Sequence, residues 1–107
     1  MTVNTSVSNK IADETMIPKQ RFLAALNGEA VDRPCAAGIT SVVNFELMDL
    51  VGSHFPEANT EAHPMAELAA SGHDLLGFDS VMPIFGIAQE ATALGCVVDF
   101  SDPGNMP

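Results

Sequence analysis

Two short apolar runs, at residues 35–39 and 78–85, restrict the folds open to this chain more than any other feature. Neither alternates apolar with polar residues, as a strand with one wet face would. A near-continuous run predicts a strand buried on both faces, the pattern of a parallel sheet. Parallel neighbours need a crossover of a dozen or more residues. Residues 40–77 carry two helical patterns that can supply it. In the first, Val43, Leu47, Leu50 and Val51 fall at i, i+4, i+7 and i+8, and Gly52 and Pro56 break the pattern. In the second, Pro64 opens a helix over 64–76. Its residues Met65, Leu68, Ala69, Gly72, Leu75 and Leu76 repeat at three- and four-residue steps until Gly77 stops it. The expected class is therefore α/β, with strands 35–39 and 78–85 adjacent and parallel and a right-handed crossover between them. Met65, Leu68, Ala69, Gly72 and Leu76 should face the sheet, leaving Glu67 and Asp74 toward water.

The flanks are shorter elements. Pro18 suits the first position of a helix over 17–28, with Phe22, Leu23 and Leu26 on one face and Gly28 at its end. Asp32, Arg33 and Pro34 form a turn into the first strand. Residues 1–14 are dominated by Thr, Ser, Asn and Asp without a sustained apolar period, which predicts a disordered tail ahead of one domain at 15–107. Pro83 removes a ladder donor and should sit at a bulge or strand end. A helical turn at 89–94 closed by Gly95, an edge strand at 96–100 and a turn at 101–104 complete the pattern.

Charge excludes partners more readily than it names them. The net charge is −10, and the four basic residues, Lys10, Lys19, Arg21 and Arg33, all precede position 34. From Pro34 onward there are ten Asp or Glu and no Lys or Arg. Nucleic acid is a poor partner for such a surface, because phosphate binding needs clustered cations. A polycarboxylate would be repelled for the same reason. No run approaches the roughly 20 apolar residues of a membrane helix, and the first residues lack the apolar stretch of a signal peptide. Cys35 and Cys96 are too few for a disulfide scaffold. A cytoplasmic protein is the expectation.

Few residues suggest chemistry. His54, His63 and His73 form no His-x-x-x-His or Glu-x-x-His pair, so each is read as a cap or surface side chain, not a metal ligand. Cys35 and Cys96 lie in no CxxC motif and read as small buried hydrophobes. Met48, Met65 and Met82 read as core filler. In parallel α/β sheets, ligands gather beyond the carboxyl ends of strands. That rule selects Thr40 and Ser41 after the first strand, and Gln89 and Glu90 after Gly86, as ligand-binding candidates. Glu90 is equally explained as a helix-start acid favoured by the macrodipole.

One family resemblance runs through nearly all of the chain after the tail. Pro18, Lys19, Gln20 and Arg21, then Leu26, Asn27, Gly28 and Glu29, then Asp32, Arg33 and Pro34 resemble the opening of the uroporphyrinogen decarboxylase superfamily. Later blocks agree in order and spacing: Glu46, Leu47, Met48; Phe55, Pro56, Glu57, Ala58; Met65 to Ala69; Gly77, Phe78, Asp79; and Ala93, Leu94, Gly95. Together they look most like the corrinoid-dependent branch, of the methylcobalamin:coenzyme M methyltransferase type. The resemblance implies a TIM-type (β/α)8 barrel, which needs about 250 residues. The 107 residues here would be an incomplete N-terminal portion of it. It also implies methyl transfer from a corrinoid protein to a small thiol or to tetrahydrofolate, with zinc and a protein-bound corrinoid serving the full-length family. A decarboxylase-like protein of porphyrin metabolism and a non-catalytic remnant or interaction module are the alternatives.

Two departures separate the chain from the decarboxylase branch. Decarboxylases resembling it carry an Arg-rich segment after the first strand; residues 37–42 hold none. They also place an Asp nine positions before the Gly of Ala-Leu-Gly, where this chain has Gly86. The methyltransferase resemblance implies zinc held by a His-x-Cys pair and a distant Cys. Two residues before Cys35 and Cys96 stand Arg33 and Leu94, so no metal ligand and no catalytic residue carries over to these positions. Uroporphyrinogen is accordingly expected to pass unchanged through this chain and through any longer protein sharing it. An anaerobic assay in which coproporphyrinogen rises above the uncatalysed background would contradict this.

Overall fold

The computed structural model describes residues 14–102 apart from Ile39 and Ile84. The chain divides after Cys35 into two compact units. Most of the expected tail, residues 1–13, lies outside the described residues.

In the first unit, α1 spans Pro18–Leu26, with the proline in its first turn as expected. Ile17 has no polar side chain to cap the helix. Gln20 Oε1 instead accepts from the Ile17 N–H at 3.3 Å. Gly28 turns the chain at φ +70°, a conformation glycine adopts without strain, and the Glu29 N–H donates to the Ala24 carbonyl at 2.8 Å.

No pattern of spacing marks Arg21, on this helix, as a side chain with no exposed surface, yet it has none. Its Nε donates to Asp32 Oδ1 at 2.7 Å and its Nη2 to Asp32 Oδ2 at 2.9 Å. Nη2 also donates to the Met16 carbonyl at 2.7 Å. The same carboxylate accepts from the main-chain N–H groups of Thr15, Met16 and Arg33, each at 2.9 Å. A planar guanidinium matches a carboxylate in this two-bond geometry, which satisfies charges that burial would otherwise penalise. Outside this pair, Arg33 Nε meets Glu14 Oε1 at 2.8 Å.

In the second unit, α2 (Phe45–Val51), α3 (Glu57–Thr60), α4 (Ala62–Asp74) and α5 (Gln89–Ala93) follow in order. Asn44 caps α2, its Oδ1 accepting from the Leu47 N–H at 2.8 Å. Gly52 ends it at φ +73°. α4 packs against α2 and α3. Leu47, Met48, Ala58, Leu68, Ala69 and Phe85 form the buried core, flanked by Val43, Val51, Phe55 and Met65. Phe55 and Phe85 meet edge to face with ring centroids 5.7 Å apart.

The strands require correction. Among the described residues none is in a strand, at 35–39, 78–85 or 96–100. The first two segments are nevertheless neighbours. The Asp79 N–H donates to the Ala36 carbonyl at 2.7 Å, and the Ala36 N–H donates to Asp79 Oδ2 at 2.8 Å. Two residues on, the Gly38 N–H donates to Ser80 Oγ at 3.2 Å. The contacts advance in the same direction along both segments, as parallel order requires. The polar side chains of Asp79 and Ser80 take main-chain donors that a ladder would use, and Ala36, Ala37 and Gly38 have little intrinsic preference for a strand.

The helices need smaller corrections. α4 begins two residues before Pro64, since proline is tolerated throughout a first helical turn. Leu68, Ala69 and Gly72 are buried and Glu67 and Asp74 are exposed, as the periodicity requires. Leu75 and Leu76 fall beyond the end of the helix and are exposed. Pro56 does not simply break α2: it is the N-cap of α3.

Two outcomes follow. Leu68→Ala removes a side chain with no exposed surface and is expected to cost about 3 kcal/mol of stability, read by urea unfolding. Hydrogen bonds from the Arg21 guanidinium first, then from the Met16 and Thr15 N–H groups, outweigh burial and hold the Asp32 carboxyl well below the usual carboxylate range. Its contribution to stability is therefore present above the unfolded value, about pH 4, and is lost as pH falls toward the depressed native value. Asp32→Asn should lower the thermal midpoint at pH 7, and the gap to the parent chain should narrow below about pH 4.

Candidate functional site

A crevice in the second unit lies where the two bridged segments meet α4. Gly38, Thr40 and Val42 line it from the first segment and Phe78, Ser80 and Met82 from the second, with Ala69 and Gly72 as the helical wall. Its free volume is about 10 Å³, enough for one water molecule. The small residues make it narrow by close backbone approach. A Cβ on Gly38 would stand 3.0 Å from the Thr40 carbonyl oxygen, and one on Gly72 would touch the Phe78 ring at 4.0 Å.

Of the four ligand-binding candidates, the structure places Thr40 in this crevice. Ser41 is half-buried beside it and does not line it. Gln89 and Glu90 open α5 and do not line it either. Glu90 is exposed. Gln89 is more unusual: both of its amide atoms are shielded from solvent, without a hydrogen-bond partner among the described residues. Such a group is costly to leave unpaired. The positional rule thus identified two separate places, and the described residues do not join them into one cavity.

Asp79 was absent from the candidates. It is buried and its carboxylate anchors the Ala36 N–H. The available signal was a charged residue inside an otherwise apolar run, which demands a partner. Its role here is to tie two segments together.

Other polar groupings lack the geometry of a catalytic relay. Ser53 Oγ donates to Glu67 Oε2 at 2.8 Å, and His63 Nδ1 stands 3.5 Å from the same oxygen. Ser53 is buried, so this hydroxyl is closed to an incoming substrate. His63 lies in the first turn of α4 and is exposed. His54 Nε2 pairs with Asp49 Oδ1 at 2.9 Å on the surface, and His73 Nδ1 meets the Phe78 carbonyl at 2.7 Å. Cys35 is half-buried, but Cys96 is exposed, contrary to its reading as a buried hydrophobe. Hydrogen bonds from the Ser101 hydroxyl and main-chain N–H hold the Asp99 carboxyl below its ordinary value. Among the described residues, no three His, Cys, Asp or Glu side chains group closely enough to hold a metal ion. None of the described helices is long and apolar enough to cross a membrane.

Residues 17–107 match the family model for uroporphyrinogen decarboxylase (URO-D). The methylcobamide:CoM methyltransferase MtbA of Methanosarcina acetivorans is 38% identical over 90 residues, covering 84% of this chain and 26% of that protein. A methylated-thiol–coenzyme M methyltransferase of Methanosarcina mazei is 35% identical over 92 residues, covering 86% of this chain and 25% of that protein. A solved methyltransferase from Methanosarcina mazei superposes with a TM-score of 0.79 at 36% identity, over 86% of this chain and 27% of its own. The chain therefore spans about a quarter of the length of the relatives it matches.

Proposed function

The chain belongs to the uroporphyrinogen decarboxylase family, and from that premise we propose that it supplies the N-terminal part of a methyltransferase-like enzyme. The enzyme moves a methyl group from a methyl-corrinoid protein to a small acceptor, a thiol of the coenzyme M type or tetrahydrofolate. The observation that carries this reading is the 35–38% identity to coenzyme M methyltransferases over more than four fifths of the chain. The full fold of such an enzyme would be a TIM-type barrel in the cytoplasm, to which this chain would contribute the opening portion.

This chain's share of the work is structural and recognitional. Thr40, Ser41, Gln89 and Glu90 are the positions proposed to meet a ligand. Thr40 would offer its hydroxyl in the crevice, and Gln89 an amide donor and acceptor that the chain leaves unused. The residues present do not fit a zinc site. No three candidate ligands group among the described residues, and neither cysteine has the His-x-Cys spacing. Any metal that prepares a thiol acceptor would therefore be held elsewhere, and the 107-residue chain alone should be inactive.

The test is a chimaera in which this chain replaces the matching segment of the Methanosarcina mazei methyltransferase. With methylcobalamin and coenzyme M, it should consume the thiol and demethylate the corrinoid within an order of magnitude of the parent rate, while the chain alone stays at background. A chimaera with the parent's circular dichroism but no methyl transfer would overturn the reading.

A further inference from the structure

Arg21 and its neighbours form a cradle for one carboxylate. The guanidinium has no exposed surface and cannot shed its charge by losing a proton. Its Nε and Nη2 reach the two oxygens of Asp32 at 2.7 and 2.9 Å. The main-chain N–H groups of Arg33, on Oδ1, and of Thr15 and Met16, on Oδ2, complete the set at 2.9 Å each. Each oxygen therefore accepts at least two donors, an arrangement that selects a planar two-oxygen anion over a point charge.

Most of these donors are remote from Asp32 along the chain. Arg21, Met16 and Thr15 precede it by 11, 16 and 17 positions. Recognition is thus between groups brought together in space, and it depends little on the short link between the Asp32 carboxylate and its own main chain. The same contacts fix the segment ahead of α1. The Thr15 and Met16 N–H groups donate to Asp32, and the Met16 carbonyl accepts from Arg21 Nη2 at 2.7 Å. With the anion gone, a buried cation and two main-chain donors would lose their acceptor, which is costly. Glu14 is the carboxylate placed to compete for the site. Its Oε2 stands 3.6 Å from Arg21 Nη2, while its Oε1 meets Arg33 Nε at 2.8 Å.

We propose that residues 15–33 contain a carboxylate-binding site, filled in cis by Asp32, which recognises the carboxylate group itself and accepts a free small monocarboxylate in its place. Occupancy of the site, and not the covalent link, holds residues 14–16 to α1. Truncating Asp32 at Cβ vacates the volume of one carboxylate, which formate fills and a tetrahedral anion overfills.

The test empties the site and refills it. Asp32→Ala removes the resident carboxylate, and Glu14→Gln in the same chain removes its competitor. Sodium formate is then added at neutral pH, with sodium chloride at equal ionic strength and formamide, the uncharged counterpart of formate, as controls. Formate should raise the thermal midpoint of the double variant by several degrees, with saturation. It should also slow hydrogen exchange at the Thr15 and Met16 amides about tenfold. Chloride and formamide should do neither. The parent chain, its site already filled, should respond to formate as it does to chloride. If the double variant is unfolded in buffer, the helical circular dichroism restored by formate replaces the midpoint as the readout. A response to formate no larger than that to chloride would overturn the proposal, whether the variant starts folded or unfolded. So would an equal response after Arg21→Met is added, since the anion would then act elsewhere.

Discussion

Burial of one face of α4 organises the second unit. Leu68 has no exposed surface, and Ala69 and Gly72 are buried beside it. Because these positions recur at three- and four-residue steps, they form a continuous stripe. α2 and α3 both pack on α4, and Phe85 joins the core they form together. The small residues of the stripe then set how closely the chain can approach. Ala69 and Gly72 let the bridged segments come near the helix, leaving a crevice that admits one water and presents the Thr40 position. Packing thus sets the walls of this crevice.

The first unit relies on electrostatics satisfied almost completely. Arg21 is fully buried against Asp32, whose carboxylate accepts from five donors. A buried pair of this kind gives modest net stability relative to an apolar replacement but is badly disrupted by losing one member. It fixes the geometry of the segment before α1 and of the turn after it. It also consumes cations. With Arg21 and Arg33 engaged by Asp32 and Glu14, and no Lys or Arg beyond position 33, the second unit carries an acidic surface. That surface is at odds with a polycarboxylate substrate.

Membership of the family and the partial span belong together. The chain matches about a quarter of the length of its relatives. The exposed side chains around α5 and the solvent-shielded, unpartnered Gln89 amide are both features that packing or ligand contact would satisfy. The candidate positions after the two apolar segments are correspondingly separate, Thr40 in the crevice and Gln89 and Glu90 at the start of α5.

The sequence by itself determined what depends on local periodicity and on residue chemistry. The spacing of Leu68, Ala69 and Gly72 specified the inward face of α4, Pro18 and Gly28 bracketed α1, and the blocks from Pro18 to Gly95 identified the family. The adjacency of the two apolar runs was legible too, because buried runs linked by a helical crossover have few other arrangements. Tertiary structure decided what depends on partners distant in sequence. Arg21 became a buried side chain only because Asp32 folds back onto it. Among the described residues the runs are bridged segments and not strands, with Asp79 and Ser80 taking main-chain donors 43 and 42 positions away. Periodicity reports which face a residue occupies. It carries no information about which distant side chain will satisfy a given donor.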